Sequence, residues 1–147
     1  APMIRTILLP WDGSEPSRRA LDFLLKLLKE QPPAEVHLLN VQHRAPTLER
    51  MTGGRPSELQ NLEGPAMEAG RKALDGAVKV LAAAGIPHVA KVVAGDAAQE
   101  IVEYAKTHHC EGIVMGTRGL GSVATLVLGS VAHKVLHLTH VPITLVK

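Results

Sequence analysis

Apolar residues along this chain follow two patterns, short continuous runs and longer stretches that repeat every three or four positions. The segment Ile4-Arg5-Thr6-Ile7-Leu8-Leu9-Pro10 is aliphatic and β-branched, and it runs into the turn and cap chemistry of Trp11-Asp12-Gly13-Ser14. That pattern predicts a strand feeding a helix. From Ser14 to about Glu30, Ala20, Leu21, Leu24, Leu25, Leu27 and Leu28 recur at helical spacing, and Pro32-Pro33 forbids continuation. Val36-His37-Leu38-Leu39-Asn40-Val41 reads as a second strand. Pro65 suits the first turn of a helix in which Met67, Leu74, Val78 and Leu81 share a face, with Gly85 as its stop. Ile86 to Ala94 mixes Val89, Val92 and Val93 with His88 and Lys91, as an edge strand does. Asp96 and Gln99 have capping-box spacing at the head of a helix whose buried side is Ile101, Val102 and Ala105. Ile113-Val114-Met115 is a short apolar strand ending at Gly116, a helix runs from about Ser130 to Leu138, and Pro142 leads into a last strand, Ile143-Thr144-Leu145-Val146.

Strands that are nearly continuous in apolar residues and alternate with helices indicate a parallel sheet covered on both faces. The expected fold is α/β, a three-layer open sheet of five parallel strands with four helices, forming one domain over residues 1–147. The stretch from Gln42 to about Glu63 contains Pro46, Gly53-Gly54, Pro56, Ser57 and Gly64 nearby and shows no period, so it reads as a long loop of the kind that is often functional. In open sheets ligands bind beyond the carboxyl ends of the strands, where the winding direction reverses. That directs attention to Pro10–Asp12, Val41 and the segment from Gly116 to Ser130.

Composition narrows the function classes. The chain has 147 residues, 46% of them hydrophobic, which suffices for a core without disulfides or a structural metal. With 20% charged residues and a formal net charge of +2, it lacks the signature of a disordered chain. The 16 basic and 14 acidic side chains are interleaved, and aromatic residues make up only 2%, so neither a phosphate-neutralising stripe nor a stacking platform for nucleic acid is present. Cys110 is the one cysteine, and no apolar run approaches the roughly 20 residues that span a bilayer. The expectation is a cytoplasmic, reducing setting with no membrane partner.

One segment carries candidate chemistry. Gly116-Thr117-Arg118-Gly119 follows a buried strand, Gly129-Ser130-Val131 opens a helix, and nine residues separate Gly119 from Gly129. Glycines let backbone N–H groups approach an anion, and the helix start adds unpaired donors, its positive dipole end and the Ser130 hydroxyl. After Glu111 the chain contains Arg118, Lys134 and Lys147 but no Asp or Glu, so the local field favours a polyanion. The alternative is that the glycines serve turns and Ser130 is a plain helix cap. A P-loop is excluded because no Lys follows a Gly, and Gly119-Leu120-Gly121-Ser122-Val123-Ala124 lacks the downstream acid of a dinucleotide fingerprint.

These residues resemble the universal stress protein family, in its ATP-binding branch. Gly116-x2-Gly119-x9-Gly129-Ser130 is similar to that family's nucleotide-binding signature. The opening Ile7-Leu8-Leu9-Pro10-Trp11-Asp12-Gly13-Ser14-Glu15, the strand end Asn40-Val41, Gly95-Asp96 and the closing Val141-Pro142-Ile143-Thr144-Leu145-Val146 match it in order and spacing, so the resemblance covers the full chain. It implies an adenine-nucleotide α-hydrolase-like fold. It also implies that Pro10, Asp12 and Val41 line an adenosine pocket, with Asp12 bonding to the nucleoside and Met115 and Gly116 at the floor. Gly119, Gly129, Ser130 and Val131 would hold the phosphates, with Mg²⁺ carried on them. A homodimer through the last strand, at a sheet edge, follows from the same resemblance. Trp11 departs from the smaller residue usual there, which implies an altered pocket wall or neighbouring interface. Read without the family, Asp12 is equally a turn residue, and Pro10 and Val41 are equally core and strand-end residues.

Other candidates are weaker. His133, His137 and His140 suggest one helical face but have no carboxylate beside them, and His108-His109-Cys110-Glu111 offers no third group to orient a Cys–His pair. No general base is visible beside the glycine-rich segment. The functional expectation is therefore a stress-response or regulatory binding module for ATP, the alternative being a slow ATP hydrolase or nucleotidyl enzyme in the same cleft. The sequence names no protein partner.

Overall fold

A computed structural model of the chain describes residues 5–30, 34–43, 64–117 and 128–147. Most of the expected loop after Gln42, and Gly119 with its neighbours, lie outside the described residues. Among the described residues the elements run β1 (Thr6–Pro10), α1 (Glu15–Lys29), β2 (Glu35–His43), α2 (Pro65–Ala83), β3 (His88–Gly95), α3 (Ala97–Thr107), β4 (Gly112–Gly116), α4 (Ser130–Leu138) and β5 (Ile143–Val146). The five strands form one sheet in the order β3-β2-β1-β4-β5, and every neighbouring pair is parallel. Five parallel strands and four helices are what the apolar pattern predicts, and β3 and β5 are the two edges.

Period-two alternation along the strands divides the core. Ile7, Leu9, Trp11, Val36 and Leu38 pack with α1 and α2 on one face, while Leu8, Leu39, Ile113 and Met115 pack with α3 and α4 on the other. Helix ends follow their local chemistry. The Ser14 hydroxyl caps α1 by accepting from the Ser17 N–H, Pro16 lies in the first turn, and Lys26 and Lys29 occupy the last. Asp96 caps α3, accepting from the Gln99 N–H at 3.1 Å. Gly85 has φ +70°, the left-handed conformation that lets the chain leave α2. Trp11 is buried, and its indole N–H donates to the Ala73 carbonyl at 2.6 Å, tying the end of β1 to α2.

At the amino end of the sheet a polar network joins β2 to α3, with His37 buried and Glu35 at its exposed outer end. His37 Nε2 lies 2.6 Å from Glu35 Oε1, and His37 Nδ1 lies 2.6 Å from the Tyr104 hydroxyl. A carboxylate only accepts, so Nε2–H donates to Glu35, and in the neutral ring Nδ1 accepts from Tyr104. His108 stacks on Tyr104 with ring centroids 3.8 Å apart. Burial, then the charges of Cys110 and Glu35, push the Tyr104 phenol up to about 12. Burial, then Glu35, push the Cys110 thiol up to about 11, so it is no nucleophile at neutral pH.

Candidate functional site

A break in the strand ladder opens the site. β1 stays paired with β2 as far as Pro10↔Leu39, and β4 with β5 as far as Gly116↔Val146. β1 and β4, however, pair only at Ile7↔Gly112 and Leu8↔Ile113. The cause is chemical. In β1 the Trp11 N–H donates to Leu39 on the β2 side, while the Thr6 carbonyl accepts from Glu111 on the β4 side. By alternation Pro10 is a position whose N–H belongs to β4, and proline has none. The two strands part, and a cleft of about 380 Å³ lies between their carboxyl ends, at the point where strand order reverses.

Eight of the nine residues singled out in the sequence line this cleft. Pro10 and Asp12 come from the end of β1, Val41 from β2, Met115 and Gly116 from β4, and Gly129, Ser130 and Val131 from the head of α4. The ninth, Gly119, lies outside the described residues. The heads of α1 and α3 also reach the cleft through Ser14, Pro16, Ser17, Ala97 and Ile101, which sequence reasoning did not single out. Their signal was topological, since each helix follows a parallel strand and so begins at the carboxyl end of the sheet.

Gly116 has a structural reason independent of any ligand. A Cβ added there would collide with the backbone of Pro16, so only glycine lets the head of α1 rest on the end of β4. Asp12 combines its two readings. Its Oδ1 accepts from the Ser14 N–H at 2.9 Å, an Asx turn, yet the residue stays exposed on the cleft. Burial works against its charge, but hydrogen bonds from Ser14 and Ser17 outweigh it and hold the carboxyl below its ordinary value. An ionised Asp12 accepts hydrogen bonds and repels anions.

The head of α4 has the opposite character. Here the structure corrects the plain-cap alternative for Ser130. Gly129 occupies the cap position, with φ −57° and ψ 149° and no side-chain cap, and Ser130 is the first helical residue, its side chain exposed. α1 and α3 have side-chain caps, so among these three heads α4 alone leaves its first-turn donors without one. Such a head attracts anions. Much of the remaining wall is aliphatic, from Pro10, Leu39, Val41, Ile101 and Met115. A ligand that combines hydrogen-bond donors, an apolar part and an anionic group matches that set of walls.

The histidine cluster resolves differently from the expectation. His133 and His137 touch, with ring centroids 4.5 Å apart, but Thr139 ends α4, so His140 leaves the helical face. Among the described residues no three His, Cys, Asp or Glu side chains are placed to hold a metal ion. Also among them, no helix is long and apolar enough to cross a membrane.

Comparison with known proteins agrees with this fold. The family model described as "Universal stress protein family" matches residues 3–147. Universal stress protein YxiE of Bacillus subtilis is 33% identical, over 99% of this chain and 100% of its own length. The solved structure of the hypothetical protein MJ0577 has a TM-score of 0.76 at 27% identity, covering 99% of this chain and 97% of that one. A universal stress protein family protein of Arabidopsis thaliana, solved with AMP bound, shares the fold at a TM-score of 0.70 and 18% identity, covering 97% and 91%.

Proposed function

Because this chain belongs to the universal stress protein family, we propose that it binds ATP in the β1/β4 cleft and acts as a nucleotide-dependent regulatory binding module. The observation that carries the reading is the polarity of the cleft, with ionised Asp12 at one place and the uncapped head of α4 at another. Asp12 accepts from the nucleoside, the aliphatic walls take the base, and Gly129, Ser130 and Val131 receive the phosphates together with Gly119. Mg²⁺ travels on the phosphates. The AMP bound by the Arabidopsis protein supports an adenine nucleotide as the ligand class for this fold.

In this reading the module works in the cytoplasm as a homodimer. β5 is a sheet edge with apolar Ile143, Leu145 and Val146, and pairing with the same strand of a second copy satisfies its free backbone groups. Light scattering at micromolar concentration checks this, and the monomer mass of 15.7 kDa would count against it.

The test of ligand binding uses the protein's own reporter. Trp11 is the one tryptophan and borders the cleft, so its fluorescence should respond to MgATP. At 100 times its dissociation constant a ligand of the folded state stabilises by about 2.7 kcal/mol, and the melting temperature should rise accordingly. No rise, together with no heat in calorimetric titration, removes the nucleotide reading.

A further inference from the structure

Lys134 lies one helical turn beyond Ser130, on the same face of α4. Side chains on a helix lean toward its N-terminus, which carries this ammonium to the head of α3. There Nζ stands 3.2 Å from Asp96 Oδ2. The same oxygen accepts from the Gln99 N–H as the cap of α3, so one carboxylate serves a helix cap and a neighbouring helix together. The two helices so joined supply Ala97, Ile101, Ser130 and Val131 to the cleft. The side chains of Lys134 and Asp96 are 48% and 43% exposed, so solvent screens the pair and a stronger anion can displace the carboxylate. No Asp or Glu occurs after Glu111, and the partner of Lys134 comes from another element.

Resting on the nucleotide reading above, we propose that Lys134 is the residue that distinguishes adenosine phosphates by the length of their tail, held in reserve by Asp96 and released to the terminal phosphates of ATP. Adenosine leaves the Asp96–Lys134 pair intact. ATP exchanges it. The carboxylate competes with the phosphate for one ammonium, so removing either partner has effects of opposite sign.

Calorimetric titration of adenosine and MgATP into the full chain and three variants tests this. Asn caps a helix as well as Asp does, so Asp96→Asn removes the competing charge and keeps the cap. It should tighten ATP binding by about twofold to fivefold, the scale of a half-exposed charge pair. Lys134→Met should weaken ATP by a similar factor. Adenosine affinity should not move in either variant. In Asp96→Asn/Lys134→Met the Asn should add nothing to the effect of Met. If both single variants change ATP and adenosine alike, or neither changes ATP, the inference is overturned while the nucleotide reading stands. A parent chain that binds neither ligand removes the reading beneath it as well.

Discussion

The two ends of this sheet treat polar groups in opposite ways. At the amino end Glu35, His37 and Tyr104 spend their hydrogen bonds on one another at 2.6 Å, and the phenol and the Cys110 thiol are held in their neutral forms. At the carboxyl end β1 and β4 separate, three helix heads meet, and the head of α4 keeps its donors without a side-chain cap. A buried polar group is tolerated when its partners are internal, whereas donors facing a cleft are completed by whatever enters it. The contrast gives stability to one end and, on the proposed reading, binding to the other. Substitutions at the amino end should change stability and leave ligand affinity alone, and most substitutions at the cleft should do the reverse.

Gly116→Ala is the largest expected effect and the exception that marks the boundary. The added methyl meets the backbone of Pro16, which cannot rotate away as a side chain can. Displacing the head of α1 should cost about 3 kcal/mol, the upper range for overpacking, and ATP binding should be lost with it. Urea unfolding read by Trp11 fluorescence measures the first, and calorimetry the second. Unchanged stability would show that α1 does not rest on β4 as described.

Ser130→Ala comes next. Because Gly129 is the cap, losing the hydroxyl should leave stability within about 0.5 kcal/mol. A hydrogen bond to a charged phosphate contributes about 1.5–3 kcal/mol, so ATP should bind about 10- to 100-fold more weakly and adenosine nearly as before. Equal losses for both ligands, or none, would mean that Ser130 holds no phosphate. Asp12→Ala is the converse. It should weaken ATP and adenosine alike, by about tenfold, and a loss confined to ATP would move Asp12 away from the nucleoside.

These predictions rest partly on features that the sequence displayed and partly on features it hid. The strands and helices were legible because apolar runs and helical spacing are properties of single segments, and α4 and β5 begin and end at the residues the pattern indicates. The cleft residues from strand ends and from the glycine-rich segment were legible too, since a parallel sheet sends all of them to one end. The cap of α4 was not. Gly129-Ser130 fits either residue as cap, and only the backbone angles decide. Contacts between distant positions were equally silent. Trp11 finds a backbone carbonyl 62 residues away, which no side-chain pattern announces. His37 and Tyr104, 67 residues apart, meet only through tertiary packing, which no local pattern encodes.

The smallest expected effect at neutral pH belongs to the amino end and tests the other half of the contrast. Tyr104→Phe leaves His37 Nδ1 without its partner and should cost about 1 kcal/mol, with ATP affinity unchanged. The alkaline behaviour follows from the same network. Tyr104 moves from 10.0 to about 12 on folding and Cys110 from 9.0 to about 11, so each group binds its proton more tightly in the folded chain. A raised value in the folded state contributes stability that is complete below the unfolded value and disappears as pH climbs through the folded one. Stability should therefore hold steady up to about pH 9 and decline from there to about pH 12. Tyr104 is the chain's one tyrosine, so tyrosinate absorbance follows it alone. A phenol that ionises at its ordinary value in the folded protein would show the network to be open to water. In Tyr104→Phe the Cys110 contribution remains, so the decline should still begin near pH 9 but be shallower and end near pH 11.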